Sequence, residues 1–182
     1  GNILIKDIHA MLSAPAILPE FGEPVVTMCL VRDPVAVAAS KMRLGMWRWM
    51  RDPEQIVEAP HLLPEVRALA RDPSVAAGSQ FEKYVLIWCV LYKAFRLTAP
   101  ADTIFATYSR DIEDNRRTVR QVFDRMGLET FDDVRFTNRH NKRSAMDGAG
   151  LGEPYAVSEA ERAYARRAVA HFGLTDLCPD AA

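Results

Sequence analysis

Three cysteines, nine glycines and a near-exact cancellation of charge leave several function classes out of reach of this 182-residue chain. Cys29, Cys89 and Cys178 are odd in number and no two have metal-ligand spacing, which argues against a disulfide framework or a cysteine-held zinc site and makes a reducing cytoplasm the expected home. The glycines are scattered. Their one cluster, Gly148-Ala-Gly150-Leu-Gly152, follows no strand pattern and carries no lysine, so no Walker-type phosphate loop is present. The 23 basic and 24 acidic residues leave a net charge of −1, without the basic excess of a general nucleic-acid binder. The longest apolar run lies between Lys83 and Lys93, well short of the roughly 20 residues of a membrane span, and no signal peptide is visible.

What the chain does have is a sharp strand-to-helix junction. Val25 to Val31 is an apolar, β-branched run of the kind expected of a strand covered on both faces. Asp33 suits a helix N-cap and Pro34 the first helical position, so the switch from strand to helix falls within two residues. Arg32 then stands at the C-terminal tip of a strand, beside the positive end of a helix, the edge at which open α/β sheets bind ligands. An anion is the expected ligand, a phosphate first of all. Ser40 lies seven residues after Asp33, about two helical turns or roughly 10 Å along nearly the same face, where its hydroxyl can share one phosphate with the arginine fork.

The rest of the chain reads as one α/β domain over residues 1–182, a mostly parallel sheet flanked by helices. Short strands are expected at Ile3–Lys6 and Thr103–Thr107, with Pro15 and Pro19 marking the connection to the main strand. Helices are expected from Pro34 to about Met46, from Gln80 to Leu97, from Ile112 to Met126 ahead of Gly127, and from the capping box Ser158-x-x-Glu161 to about Phe172. Between Gly45 and Gly78, Pro53, Pro60, Pro64 and Pro73 divide the chain into short helical pieces. In the longest helix, Phe81, Tyr84, Val85, Trp88, Leu91, Tyr92 and Phe95 recur at three- and four-residue steps and read as core. In the helix that follows it, Val119, Val122, Phe123 and Met126 read as the buried side, with Arg116, Arg117, Arg120 and Arg125 on the solvated face.

The stretch from Val31 through Arg32-Asp-Pro to Ser40 resembles the 3′-phosphate-binding motif of the PAPS-dependent sulfotransferases: a strand ending in arginine, Asp-Pro or Asn-Pro next, and a serine eight residues after the arginine. Asn2-Ile-Leu-Ile-Lys-Asp-Ile-His9 resembles that family's preceding strand, although Lys-Asp-Ile-His is one residue longer than the Lys-Thr-His form. Trp88 and Tyr92 resemble its aromatic-bearing helix. The stretch from Thr103 to Ile112 resembles its strand ending in Tyr-Glu-Asp-Leu, with an extra residue and no glutamate.

The resemblance implies a P-loop-nucleotide-hydrolase-like sulfotransferase fold, with 3′-phosphoadenosine 5′-phosphosulfate (PAPS) as co-substrate and no metal. It implies 3′-phosphate contacts from Arg32 and Ser40, His9 as general base toward an acceptor hydroxyl, Lys6 at the transferring sulfuryl group, Tyr108 near the adenine, and Lys142 and Arg143 as the nearest analogues of a late basic loop. The acceptor would be a small molecule, sugar, lipid or natural product. Glu20, Glu23 and Glu82 are alternative bases. The family's Pro-Lys-x-Gly-Thr loop has no counterpart, so this chain is expected to be the C-terminal larger part of such a domain. Two other readings stay open: a small-molecule kinase on a related sheet, and a non-catalytic interaction domain that has lost donor binding. Monomer and homo-oligomer also stay open.

Overall fold

A computed structural model describes residues 10–21, 25–43, 52–107, 112–128 and 154–178. In chain order these form a 3-10 turn at Ala10–Leu12, helix α1 (Ala14–Ile17), a second 3-10 turn at Leu18–Phe21, strand β1 (Met28–Val31), helices α2 (Pro34–Arg43), α3 (Glu54–Val57) and α4 (Pro64–Ala70), a 3-10 turn at Pro73–Val75, helix α5 (Gln80–Thr98), strand β2 (Ile104–Thr107), helices α6 (Ile112–Arg125) and α7 (Glu159–His171), and a last 3-10 turn at Thr175–Leu177. This is a mixed helical architecture with a small parallel sheet, broadly α/β. Pro15 and Pro19 sit inside short helical turns, not in an extended connection.

Helix α5 is the centre of the molecule. Ser79 opens it with a reciprocal cap: its Oγ accepts from the Glu82 N–H at 3.2 Å, and Glu82 Oε2 accepts from the Ser79 N–H at 3.0 Å. From Tyr84 to Val90 every residue is apolar and buried, so the middle of the helix is covered all round, with Phe81, Val85, Cys89 and Val90 at zero exposure. Thr98 and Pro100 end it. Helices α2, α4 and α7 pack around it. Tyr164 of α7 is itself buried and donates its hydroxyl to the Val75 carbonyl at 2.8 Å, tying α7 to the turn before α5.

Helices α6 and α7 both stop at glycine. Gly127 and Gly173 have φ of 64° and 65°, the left-handed region where a Cβ is costly. After α7, Leu174 N–H reaches the Val169 carbonyl at 3.0 Å and Gly173 N–H the Ala170 carbonyl at 2.9 Å, a Schellman arrangement repeated at Gly127 and Leu128. The Ser158 cap opens α7 as its spacing predicts. On α6, Val119, Val122 and Phe123 are half-buried, whereas Met126, expected on the same buried side, is exposed.

Strands β1 and β2 pair in parallel, Met28 opposite Ile104 through Val31 opposite Thr107. Cys29, Val31 and Phe105 face the core. The expectation of a strand covered on both faces is corrected here: Met28 and Leu30, on the other face, are 44% and 53% exposed. A continuous apolar run shows that a strand can be buried twice over, not that two layers are in place. Among the described residues no helix is long and apolar enough to cross a membrane.

All three cysteines are buried, and none forms a disulfide among the described residues. Burial pushes the Cys29 thiol up to about 11 and raises Cys89 as well, so both stay protonated through neutral and mildly alkaline solution. At about pH 8 a thiol-specific disulfide reagent is expected to label them only as fast as the protein opens, and at once in denaturant. Rapid labelling of Cys29 or Cys89 in the native protein, located by peptide mass, would contradict this packing.

Candidate phosphate site at the tip of the first strand

Strand β1 ends at Val31 and α2 begins at Pro34, so Arg32 and Asp33 form the whole connection. Asp33 caps the helix: its Oδ1 accepts from the Ala36 N–H at 2.7 Å, and its carbonyl accepts the first helical bond from Val37 at 3.0 Å. Pro34 is buried, and its fixed φ suits the first turn. The junction has the form the residues predict.

What holds it in place lies on another helix. In a strand, successive carbonyls point to opposite edges. The Thr27 carbonyl accepts from Ile104 of β2 at 3.0 Å, so the Leu30 and Arg32 carbonyls point to the edge away from β2. There α5 supplies two side-chain donors. The Tyr92 hydroxyl donates to the Leu30 carbonyl at 3.1 Å, and the Trp88 indole N–H donates to the Arg32 carbonyl at 3.0 Å. The two rings stack with centroids 4.3 Å apart. One turn earlier, the Tyr84 ring lies under the Lys41 ammonium at 5.3 Å. Residues 84, 88 and 92 thus form an aromatic ladder, one rung per helical turn, along the path from β1 into α2.

Arg32 itself is exposed, and among the described residues its guanidinium has no carboxylate partner. Ser40 is half-buried on α2, and Lys41 follows it, its ammonium pushed below the usual lysine range by burial. The junction therefore presents a free planar fork at the strand tip, a hydroxyl two turns on, and a half-buried cation next to that hydroxyl. The helix N-terminus contributes less than the spacing alone suggests, because Asp33 already takes the Ala36 N–H. An anion here would be held mainly by side chains.

Of the other expected site residues, Lys6, His9, Tyr108, Lys142 and Arg143 lie outside the described residues, as does Glu23. Glu82, one of the alternative bases, is used structurally: its carboxylate accepts the Gly78 and Ser79 N–H groups at 2.6 and 3.0 Å. The Ser79-x-x-Glu82 spacing carries that signal in the sequence. His171 is a packing residue, 3.2 Å from the Leu69 carbonyl and edge-on to Phe172. An open depression of about 470 Å³ lies toward the opposite end of the sheet, lined by Ile104, Phe105, Gln121, Asp124 and Arg125. The functional part that the sequence reading missed is the pair of polar ends on Trp88 and Tyr92. The available signal was general: buried indole N–H and phenol O–H groups need partners.

Comparison with family models, with curated proteins and with solved structures returned no match.

Replacing Asp33 by alanine is expected to destabilise the fold by about 1 kcal/mol, whereas Asp33→Asn retains the cap and stays close to the parent. Urea unfolding measures both. Equal loss in the two variants would mean that the cap geometry is not what matters at this position.

Proposed function

We propose that this chain carries the 3′-phosphate half of a sulfotransferase donor site and serves sulfuryl transfer from PAPS to a hydroxyl of a small molecule, sugar, lipid or natural product. One observation carries the reading: an exposed arginine without a carboxylate partner among the described residues directly follows a parallel strand, in a two-residue connection that leads into a capped helix bearing Ser40 two turns on. Order, spacing and local structure are those the family motif requires. The residues also suit the ligand. A phosphate offers several oxygens to a planar fork, and a hydroxyl completes the set.

Within this reading the domain takes the sulfotransferase form of the P-loop-nucleotide-hydrolase fold. Sulfuryl transfer requires the donor to be gripped by its phosphates, the acceptor to be deprotonated, and charge on the leaving phosphate to be stabilised in an in-line displacement. Arg32 and Ser40 perform the first task. His9 is the proposed base, imidazole being a side chain suited to taking up a proton, with Lys6 beside the transferring group. Tyr108 is assigned to the adenine, and Lys142 with Arg143 to closing over the 3′-phosphate.

Titration calorimetry with adenosine 3′,5′-bisphosphate tests the grip. Arg32→Ala is expected to cost about 1.5–3 kcal/mol, or roughly 10- to 150-fold in affinity. Arg32→Lys keeps charge without the fork and recovers part of that loss. Ser40→Ala costs less, about 2- to 10-fold. Unchanged affinity in Arg32→Ala overturns the assignment, and absence of heat with the parent chain favours the non-catalytic alternative.

A further inference from the structure

We infer that Trp88 is a positioning residue for Arg32, with Tyr92 in a supporting role, and that together they set the affinity of the anion site without touching the anion. The inference rests on the phosphate reading above and adds the part of the molecule that controls it.

The Trp88 indole N–H is bonded to the backbone carbonyl of Arg32 itself, 56 residues away in sequence. Tyr92 takes the Leu30 carbonyl, the preceding acceptor on the same edge. Both rings project from α5, whose middle is buried; Trp88 is only 4% exposed and Tyr92 is half-buried. The arginine is in the opposite situation. Its side chain is exposed, and no ion pair or side-chain hydrogen bond among the described residues fixes it. A long cation of this kind loses rotamer freedom when it closes on a ligand. Its affinity then depends on how well its root is held, because any backbone drift at residue 32 must also be frozen on binding.

The carbonyls explain why tryptophan and tyrosine are used. Leu30 and Arg32 point their carbonyls away from β2, where no neighbouring strand receives them among the described residues. A donor from a helix packed beneath the sheet has to reach round the strand edge. Tyrosine and tryptophan combine a rigid apolar body with a donor at the tip, and residues 88 and 92, one turn apart on α5, meet carbonyls two residues apart on the strand. A phenylalanine at position 92 would fill nearly the same space without the donor, and one at position 88 would remove the donor and leave a small void as well.

A double-mutant cycle tests this on the full chain, with bisphosphate affinity from calorimetry as the readout. Trp88→Phe is expected to weaken binding about 3- to 10-fold when Arg32 is present and less than about 2-fold in the Arg32→Ala background. Tyr92→Phe, which deletes only a hydroxyl, is expected to show the same pattern with a smaller amplitude and serves if Trp88→Phe fails to fold. Equal losses in both backgrounds, or no loss with Arg32 present, overturn the positioning role while leaving the phosphate site standing. If Arg32→Ala itself changes nothing, or the parent chain gives no heat, the phosphate reading fails and the inference fails with it.

Discussion

Two hydrogen bonds from one helix to one edge of one strand hold the junction between β1 and α2 in place. The strand is four residues long and pairs with a single partner among the described residues, and an isolated two-stranded ribbon has little stability of its own. Its outer carbonyls at Leu30 and Arg32 would lack partners if α5 offered only hydrocarbon. Each bond is worth only about 1 kcal/mol net, and the partly buried bond to the Arg32 carbonyl is costlier to lose than the exposed one to Leu30. The bonds make Trp88 and Tyr92 matter beyond the area they bury. They also close the C-terminal part of that edge with side chains, which discourages another strand from pairing there.

That arrangement requires α5 to be immobile, and the rest of the fold secures it. α2, α4 and α7 pack around a helix whose middle is apolar on every side. The Ser79–Glu82 and Ser158–Glu161 caps fix where the two largest core helices begin, and Gly173 fixes where α7 turns back. Tyr164 then joins α7 to the turn ahead of α5 through the Val75 carbonyl. The same device appears twice: an aromatic ring fills the core while its polar tip satisfies a backbone carbonyl of a neighbouring segment. Position is passed from helix packing to strand edge, and from strand edge to the arginine.

Local features were legible in the sequence, and long-range ones were not. The Asp33-Pro34 junction, the Ser158-x-x-Glu161 cap, the break at Gly127 and the extent of α5 all follow from residues within a turn of one another. The number of layers over β1 did not follow. Its apolar run is the same whether one face or two are covered, and Met28 and Leu30 are open. Trp88 and Tyr92 read correctly as core by their period, yet their acceptors lie 56 and 62 residues away, beyond any spacing rule. Glu82 looked available as a base because carboxylates are chemically versatile, although the serine three residues before it had already assigned it to the helix cap. At the junction the cap at Asp33 was readable from its neighbours, and the two donors that α5 sends to β1 were not.

The cap at Asp33 bears on what the site can hold. A carboxylate already occupies the first turn of α2 and takes the Ala36 N–H, so an incoming anion meets a like charge there and finds fewer free backbone donors. A small monoanion seated on the helix end would gain little. A phosphate further along α2, reached by the arginine fork and completed by Ser40, avoids that repulsion and uses more donors. Lys41, next in sequence to that hydroxyl and half-buried over Tyr84, adds positive charge on the same stretch of helix. This places the favourable field along the body of α2 instead of at its tip, so the arginine has to fold back from the strand end to reach it. Only a well-fixed root makes that reach reproducible, and the indole of Trp88 is bonded to that root.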